Sequence, residues 1–288
     1  MRSILEFAMR SRLGAVGMVA LGALMPLLFW LSGGLLALIT LRRGVAESGI
    51  VLVGATALLL PIHAVLLGTP LAVLQPLALV WLPVMGMAWI LRTTLSLALT
   101  VQVGAIVAVA AVAIFHAIHG DPTLFWTQTL EAVSDRLLAA PPGAGWDQAV
   151  EQLAPRLTGL WATNVLAVAV LCLLLGRFWQ AMLYNPGGFR SEFHELRFAL
   201  WFAAGAGAAV IAGMIGGPGL VADLGVILGA VFILQAVAIA HAVVARRGWH
   251  KGWLVGFYLV LPLLLRPAVL VGLADTFMDF RARLARGT

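Results

Sequence analysis

Three groups of residues in this chain have types and spacings suited to chemistry. The first is the stretch from Arg177 to Arg197, RFWQAMLYNPGGFRSEFHELR. Asn185-Pro186-Gly187-Gly188 is a strong turn signal, and glycines there allow the positive φ that lets backbone amides form an anion-cradling nest. Ser191 is expected to cap a helix, with the S-x-x-[EQ] spacing nearly met by His194 and Glu195. Arg190, Glu192, His194, Glu195 and Arg197 then fall on its first turns. Asn185, Gly187, Gly188, Arg190, Glu192, His194 and Arg197 are accordingly candidate contacts for a phosphate-bearing group or a cytoplasmic partner. The plain alternative is a tight turn entering an interfacial helix. The second group, Gln75, Gln102 and Asn164 together with His63, lies inside apolar runs. Such residues most often hydrogen-bond a neighbouring helix, for about a kcal/mol or less; a polar pocket is the functional reading. The third group is His116, His119 and Asp121. The i, i+3 histidines can share one helical face for a metal, but no further His, Cys or Glu stands close in sequence. Helix C-terminal capping is the preferred account, and no metal or other cofactor is expected.

Several functions are disfavoured by what the chain does not contain. It has no H-E-x-x-H, no G-x-S-x-G, no P-loop and no paired carboxylates within an apolar run, so an enzyme is not expected. Cys172 is the only cysteine, which excludes an internal disulfide, and its apolar surroundings make it a small packing side chain. A net charge of +6 raises the question of nucleic acid. The basic residues, however, sit in short clusters at the ends of apolar runs, which is the positive-inside pattern of membrane proteins, and no nucleic-acid partner is expected.

The elements that must position these residues are apolar helices. Of 288 residues, 62% are hydrophobic and 10% charged, against roughly 25% charged in soluble domains. The apolar runs are continuous, not alternating, which excludes a transmembrane β-barrel. At roughly 20 residues per crossing of a bilayer core about 30 Å thick, the chain has room for about eight spans. The fold expected is all-α: a polytopic transmembrane helical bundle with short broken or re-entrant segments and an outer amphipathic helix pair, embedded in a lipid bilayer.

In order, a first span from Leu13 to Leu31 is expected to break at Ser32-Gly33-Gly34, with a half-helix, Leu35 to Leu41, returning to Arg42-Arg43-Gly44. Further spans run from Gly49 to Leu67, Leu71 to Leu91, Thr94 to Phe115, Gly159 to Gly176, Phe198 to Ile215 and Leu220 to Val244. Gly205, Ala209, Gly213 and Gly217 recur every four positions and predict a close helix–helix face. After Trp253, Pro262, Arg266 and Pro267 interrupt the last apolar piece, predicting a broken ending. Residues 116–158 form the sizeable loop. Trp126, Leu130, Val133, Leu137 and then Trp146, Val150, Leu153, Leu157 each repeat at 4-3-4 spacing, predicting two amphipathic helices at the outer interface.

The organisation expected is one transmembrane domain over residues 1–288. It comprises N-terminal helices (1–115), an outer amphipathic loop (116–158), a cytoplasmic loop (177–197) and C-terminal helices (198–288). Arg2, Arg10 and Arg12 hold the N-terminus in the cytoplasm. Fifteen of the eighteen basic residues fall on that side, against two, Arg136 and Arg156, outside.

The Asn-Pro-Gly-Gly-Phe-Arg run after Arg-Phe-Trp-Gln, Leu41-Arg42-Arg43-Gly44 after a short apolar piece, and the ending Asp275 to Arg281 (Asp-x-Phe-x-Asp-Phe-Arg) together give the chain a likeness to a family. It resembles the proteobacterial branch of the YybS-like predicted membrane proteins over essentially its whole length. The resemblance implies a multi-pass protein of the bacterial inner membrane. That family is distantly similar to the substrate-binding S components of energy-coupling-factor transporters, which implies a small-molecule binding or transport subunit. Here the first span offers Gly14, Gly17, Ala20 and Gly22 in place of the Ala-xxx-Ala docking stripe of those components. A structural or assembly protein that recruits a cytoplasmic or membrane partner through residues 183–197 is the alternative.

Overall fold

In the computed structural model, which describes residues 2–25, 28–137 and 144–281, the described residues are predominantly helical and contain no strand. The helices are α1 (Arg2–Arg10), α2 (Arg12–Leu24), α3 (Phe29–Arg43), α4 (Val45–Leu67), α5 (Pro70–Thr94), α6 (Leu97–His119) and α7 (Thr123–Leu137). They continue with α8 (Ala144–Leu153), α9 (Leu157–Tyr184), α10 (Gly188–His194), α11 (Leu200–Ile215), α12 (Leu220–Arg246), α13 (Gly252–Val260) and α14 (Leu265–Met278). The chain divides into two compact units, residues 1–104 with 165–196 and residues 105–164 with 197–288.

Among the described residues, five stretches are long and apolar enough to cross a membrane: α4, α5, α6, Gly145–Tyr184 and α12. A sixth is possible if α13 and α14, bent by 111° across Leu261–Leu264, count as one broken span. The number is smaller than the eight expected because α2, α3 and α11 have only 13, 15 and 16 residues. At 1.5 Å per residue, α11 covers about 24 Å, less than a hydrocarbon core. The bend in the last apolar piece falls at Pro262 and just before Arg266-Pro267, where a straight helix lacks backbone donors.

In the first unit, α3 is the centre: every residue from Ser32 to Leu41 is buried. The break expected at Ser32-Gly33-Gly34 lies earlier, between α2 and α3, and α3 runs through the glycines without interruption. Their purpose is close approach. A Cβ on Gly33 would lie 2.6 Å from Cys172 Sγ, and one on Gly176 would lie 2.5 Å from Ala37 Cβ, so α3 and α9 touch nearly backbone to backbone. Ser32, expected in a turn, is instead a polar pin. Its hydroxyl donates to Val19 O at 2.7 Å and accepts from the fully buried Trp81 Nε1 at 3.0 Å, tying α2, α3 and α5. Pro76 removes a donor inside α5, and the helix answers with a widened π-helical turn, Leu77–Trp81, that ends on that tryptophan.

In the second unit, α11 and α12 pack through Ala209, Gly213 and Gly225. A Cβ on Gly213 would sit 2.9 Å from Val221 O, and one on Gly225 would sit 3.1 Å from Ala209 O. The small-residue face therefore uses the middle of the expected stripe, whereas Gly205 and Gly217 meet nothing within 4 Å. The tightest approach is Gly272, where a Cβ would lie 2.0 Å from Phe232 O. The two amphipathic helices expected at 116–158 correspond to α7 and α8. Trp126 Nε1 donates to Thr158 Oγ1 at 2.8 Å and its ring packs on Trp161, which fastens α7 to the start of α9.

Gly272→Ala is expected to destabilise the protein by about 1–3 kcal/mol, the usual cost of overpacking. Gly205→Ala, on the same fold, leaves stability unchanged or raises it slightly. Thermal unfolding of the two variants in detergent checks the contrast.

Candidate functional site

The C-terminal ends of α3 and α5 and the last two turns of α9 surround a pocket of about 320 Å³ in the first unit. Its lining is Leu41, Arg42, Leu91, Arg92, Leu95, Arg177, Gln180, Tyr184, Asn185 and Glu192. Three guanidinium groups face a single carboxylate, and the remaining polar groups are two amides and a phenol. Cations are at home near helix C-termini, where the backbone carbonyls carry partial negative charge.

Each arginine is held. Arg92 Nη1 donates to Leu41 O at 2.8 Å, a carbonyl of the last turn of α3, and to Thr40 O at 3.4 Å. Gly44, with φ +95°, turns the chain there, and its N–H also donates to Thr40 O at 2.9 Å. The Arg42 guanidinium lies over the Tyr184 ring, 4.4 Å from its centroid. Arg177 Nε donates to Glu192 Oε2 at 2.8 Å, joining α9 to α10. Burial pushes the Glu192 acid above its ordinary value, and Arg177 offsets this only in part. At the lip, the exposed Leu95 ends α5 in the left-handed region at φ 55°, ψ 21°, a conformation that favours glycine.

The expected loop constellation divides. Asn185 and Glu192 line the pocket. Arg190 is exposed, and Arg197 lies outside α10 with its guanidinium on Asp279 and on Thr276 O, both at 2.7 Å. Ser191 is not the cap: α10 begins at Gly188 behind Gly187 (φ +91°), and the Ser191 hydroxyl donates back to Gly188 O at 3.0 Å. Nor do the turn amides form an open nest. The N–H groups of Gly188 and Arg190 donate to Asn185 O and Gly187 O, each at 3.1 Å. Both of these amides are used within the turn, so they are not open donors.

The polar residues of the apolar runs separate as well. Gln102 is buried, whereas Gln75 and Asn164 are exposed on their helices and do not line the pocket of the first unit. His116 Nε2 lies 2.8 Å from Asp223 Oδ2, a carboxylate that also accepts a backbone hydrogen bond from Gly159. His119 bonds Phe115 O at 3.0 Å, and Asp121 accepts from the Thr123 N–H at 2.9 Å and from its hydroxyl at 2.6 Å, capping α7. Those two hydrogen bonds hold the Asp121 acid below its ordinary value. With three separate sets of partners, the trio does not converge; among the described residues no group of three or more His, Cys, Asp or Glu is placed to hold a metal ion.

A second polar cluster lies in the second unit. Gln235, Asp275 and Thr276 are fully buried. Gln235 Nε2 donates to Asp275 Oδ2 at 2.9 Å and Thr276 Oγ1 at 3.1 Å, while its Oε1 accepts the Phe198 N–H at 3.2 Å. Arg281 donates to Asp275 at 2.6 Å, and Arg246 donates to Arg281 O at 2.6 Å. The one buried ion pair, Arg281 with Asp275, is closed on itself, and with Arg246 on the Arg281 carbonyl the cluster fastens the chain end to α12.

Compared with protein families, with curated proteins and with solved structures, the chain gives no match.

Two outcomes follow. Leu95→Gly relieves the left-handed strain and is expected to raise stability by roughly 1 kcal/mol in thermal unfolding. For Glu192, the folded state holds its proton above the ordinary value of 4.5. Its contribution to stability is therefore full below that value and is lost as pH rises through the elevated one. A stability–pH profile of Glu192→Gln loses this falling segment.

Proposed function

We propose that this chain is a multi-pass protein of the bacterial inner membrane, of YybS-like kind, that binds a small anionic molecule as a binding or transport subunit. The observation that carries the reading is the pocket with Arg42, Arg92 and Arg177 against Glu192 alone. Three held guanidiniums around 320 Å³ match the size and the few fixed polar groups of a small-ligand site. The apolar helices support the membrane assignment. The basic clusters support an N-terminus and pocket on the cytoplasmic side, with α2 and α11 as further, thinner crossings toward a total of about eight. The chemistry is recognition and not catalysis.

A second reading, recruitment of a cytoplasmic or membrane partner, has its own support in α10 and the residue that follows it, where Arg190, Ser191 and Glu195 are exposed to solvent. It uses the outer face of the loop, whereas the anion pocket uses the inner face.

Small anions are expected to raise the melting temperature of the purified protein, and Arg42→Glu to abolish that response while leaving the unliganded melting temperature within a few degrees. Unaltered anion stabilisation in Arg42→Glu removes the pocket from the account. Maleimide labelling of single cysteines at positions 190 and 121, in intact cells, tests the orientation. Protection at 190 with labelling at 121 is expected, and the reverse pattern inverts it.

A further inference from the structure

The lining of the pocket carries three positive charges and one negative, and that one is not free. Glu192 is the protein's own anion, seated on Arg177 at 2.8 Å. Burial disfavours its ionised form, so the carboxylate is held there less firmly than an exposed ion pair geometry implies. Arg42 and Arg92 reach the pocket from α3 and α5 and make no ion pair with it; Arg42 lies over an aromatic face and Arg92 on backbone carbonyls. The three guanidiniums thus arrive from three helices, each already positioned, which lowers the ordering cost of binding. A planar carboxylate ligand presents two oxygens in one plane and suits one arginine fork. A tetrahedral phosphate presents oxygens in several directions and suits donors converging from different sides. Gln180 and Asn185 add neutral donors at the same wall.

We infer that the pocket takes a phosphate ester, whose phosphate replaces the Glu192 carboxylate on Arg177 and is held by Arg42, Arg92 and Arg177 together. This rests on the anion-binding reading and narrows it to one ligand chemistry. The exchange has a structural consequence. The ion pair between α9 and α10 opens, while the edge-on contact of Phe178 with Phe189 and the buried Phe193 keep α10 in place. The loop helix is thereby linked to occupancy of the pocket without leaving the protein.

The phosphate can belong to a soluble metabolite or to a phospholipid headgroup, and the test separates the two. The full chain in phosphatidylcholine nanodiscs is titrated with glycerol 3-phosphate and with succinate, and is also assembled with phosphatidylglycerol and assayed for its retention. Glycerol 3-phosphate is expected to bind at least tenfold more tightly than succinate. Glu192→Gln, which removes the competing carboxylate, is expected to tighten phosphate binding about tenfold, and Arg42→Gln to weaken it by a similar factor. Retention of phosphatidylglycerol alone, with the same response to both substitutions, supports the inference and assigns the phosphate to lipid. Succinate binding as tightly as glycerol 3-phosphate overturns the phosphate assignment and leaves the anion reading standing. Absence of binding by all three probes overturns both. A Glu192→Gln protein that melts normally but binds phosphate no more tightly overturns the exchange on Arg177, since a purely structural glutamate predicts no gain.

Discussion

The Arg92 guanidinium, donating to the last carbonyls of α3, is the contact on which the candidate site depends. Helix ends leave carbonyl groups without partners, and in a membrane protein water is scarce for the deeper ones. By donating to Leu41 O, and more distantly to the Thr40 O already held by the Gly44 N–H, Arg92 joins the ends of α3 and α5. That junction creates the wall on which Arg42 and Leu95 stand. The same cation serves twice: it completes the backbone hydrogen bonding and leaves the pocket positively charged. Both hydrogen bonds come from one nitrogen, Nη1, which leaves the rest of the guanidinium at the pocket wall.

The rest of the first unit makes that junction rigid. α3 is buried along ten consecutive residues, and Gly33, Gly34 and Gly176 let α9 approach it closely. Arg177, Gln180 and Tyr184 on α9 therefore keep a fixed position across from Arg42. The Ser32 pin to Val19 and Trp81 holds the other end of α3. Without apolar solvent exclusion to drive helix association in lipid, close packing of small residues and a few interhelical hydrogen bonds carry this work. The second unit shows the same economy, with Gly213 and Gly225 at one helix pair and the buried Gln235–Asp275–Thr276 set at another.

Much of this was legible in the sequence. Apolar runs of spanning length, bounded by arginines, identify α4, α5, α6, α9 and α12, because length and hydropathy act locally along the chain. The tryptophan-led 4-3-4 patterns identify α7 and α8 for the same reason. Of the Asn185–Arg197 stretch, Asn185 and Glu192 line the pocket of the first unit. Its cationic partners were hidden in plain view: Arg42 and Arg92 marked the ends of runs, and only packing of α3, α5 and α9 brings them to Arg177. The glycine pair at 33–34 misled for a related reason. Glycine permits both a break and a close approach, and the choice is made by a helix more than a hundred residues away. His116 and Asp223 are likewise 107 positions apart, beyond any local pattern.

Native mass spectrometry of the protein, gently extracted from its own membrane, tests the central claim most directly. The account predicts a stoichiometric anionic small molecule or phospholipid of defined mass on the wild-type chain, and its loss from Arg42→Glu. A chain that emerges with a protein partner at fixed stoichiometry and no anionic adduct, or with the same adduct on both proteins, contradicts it.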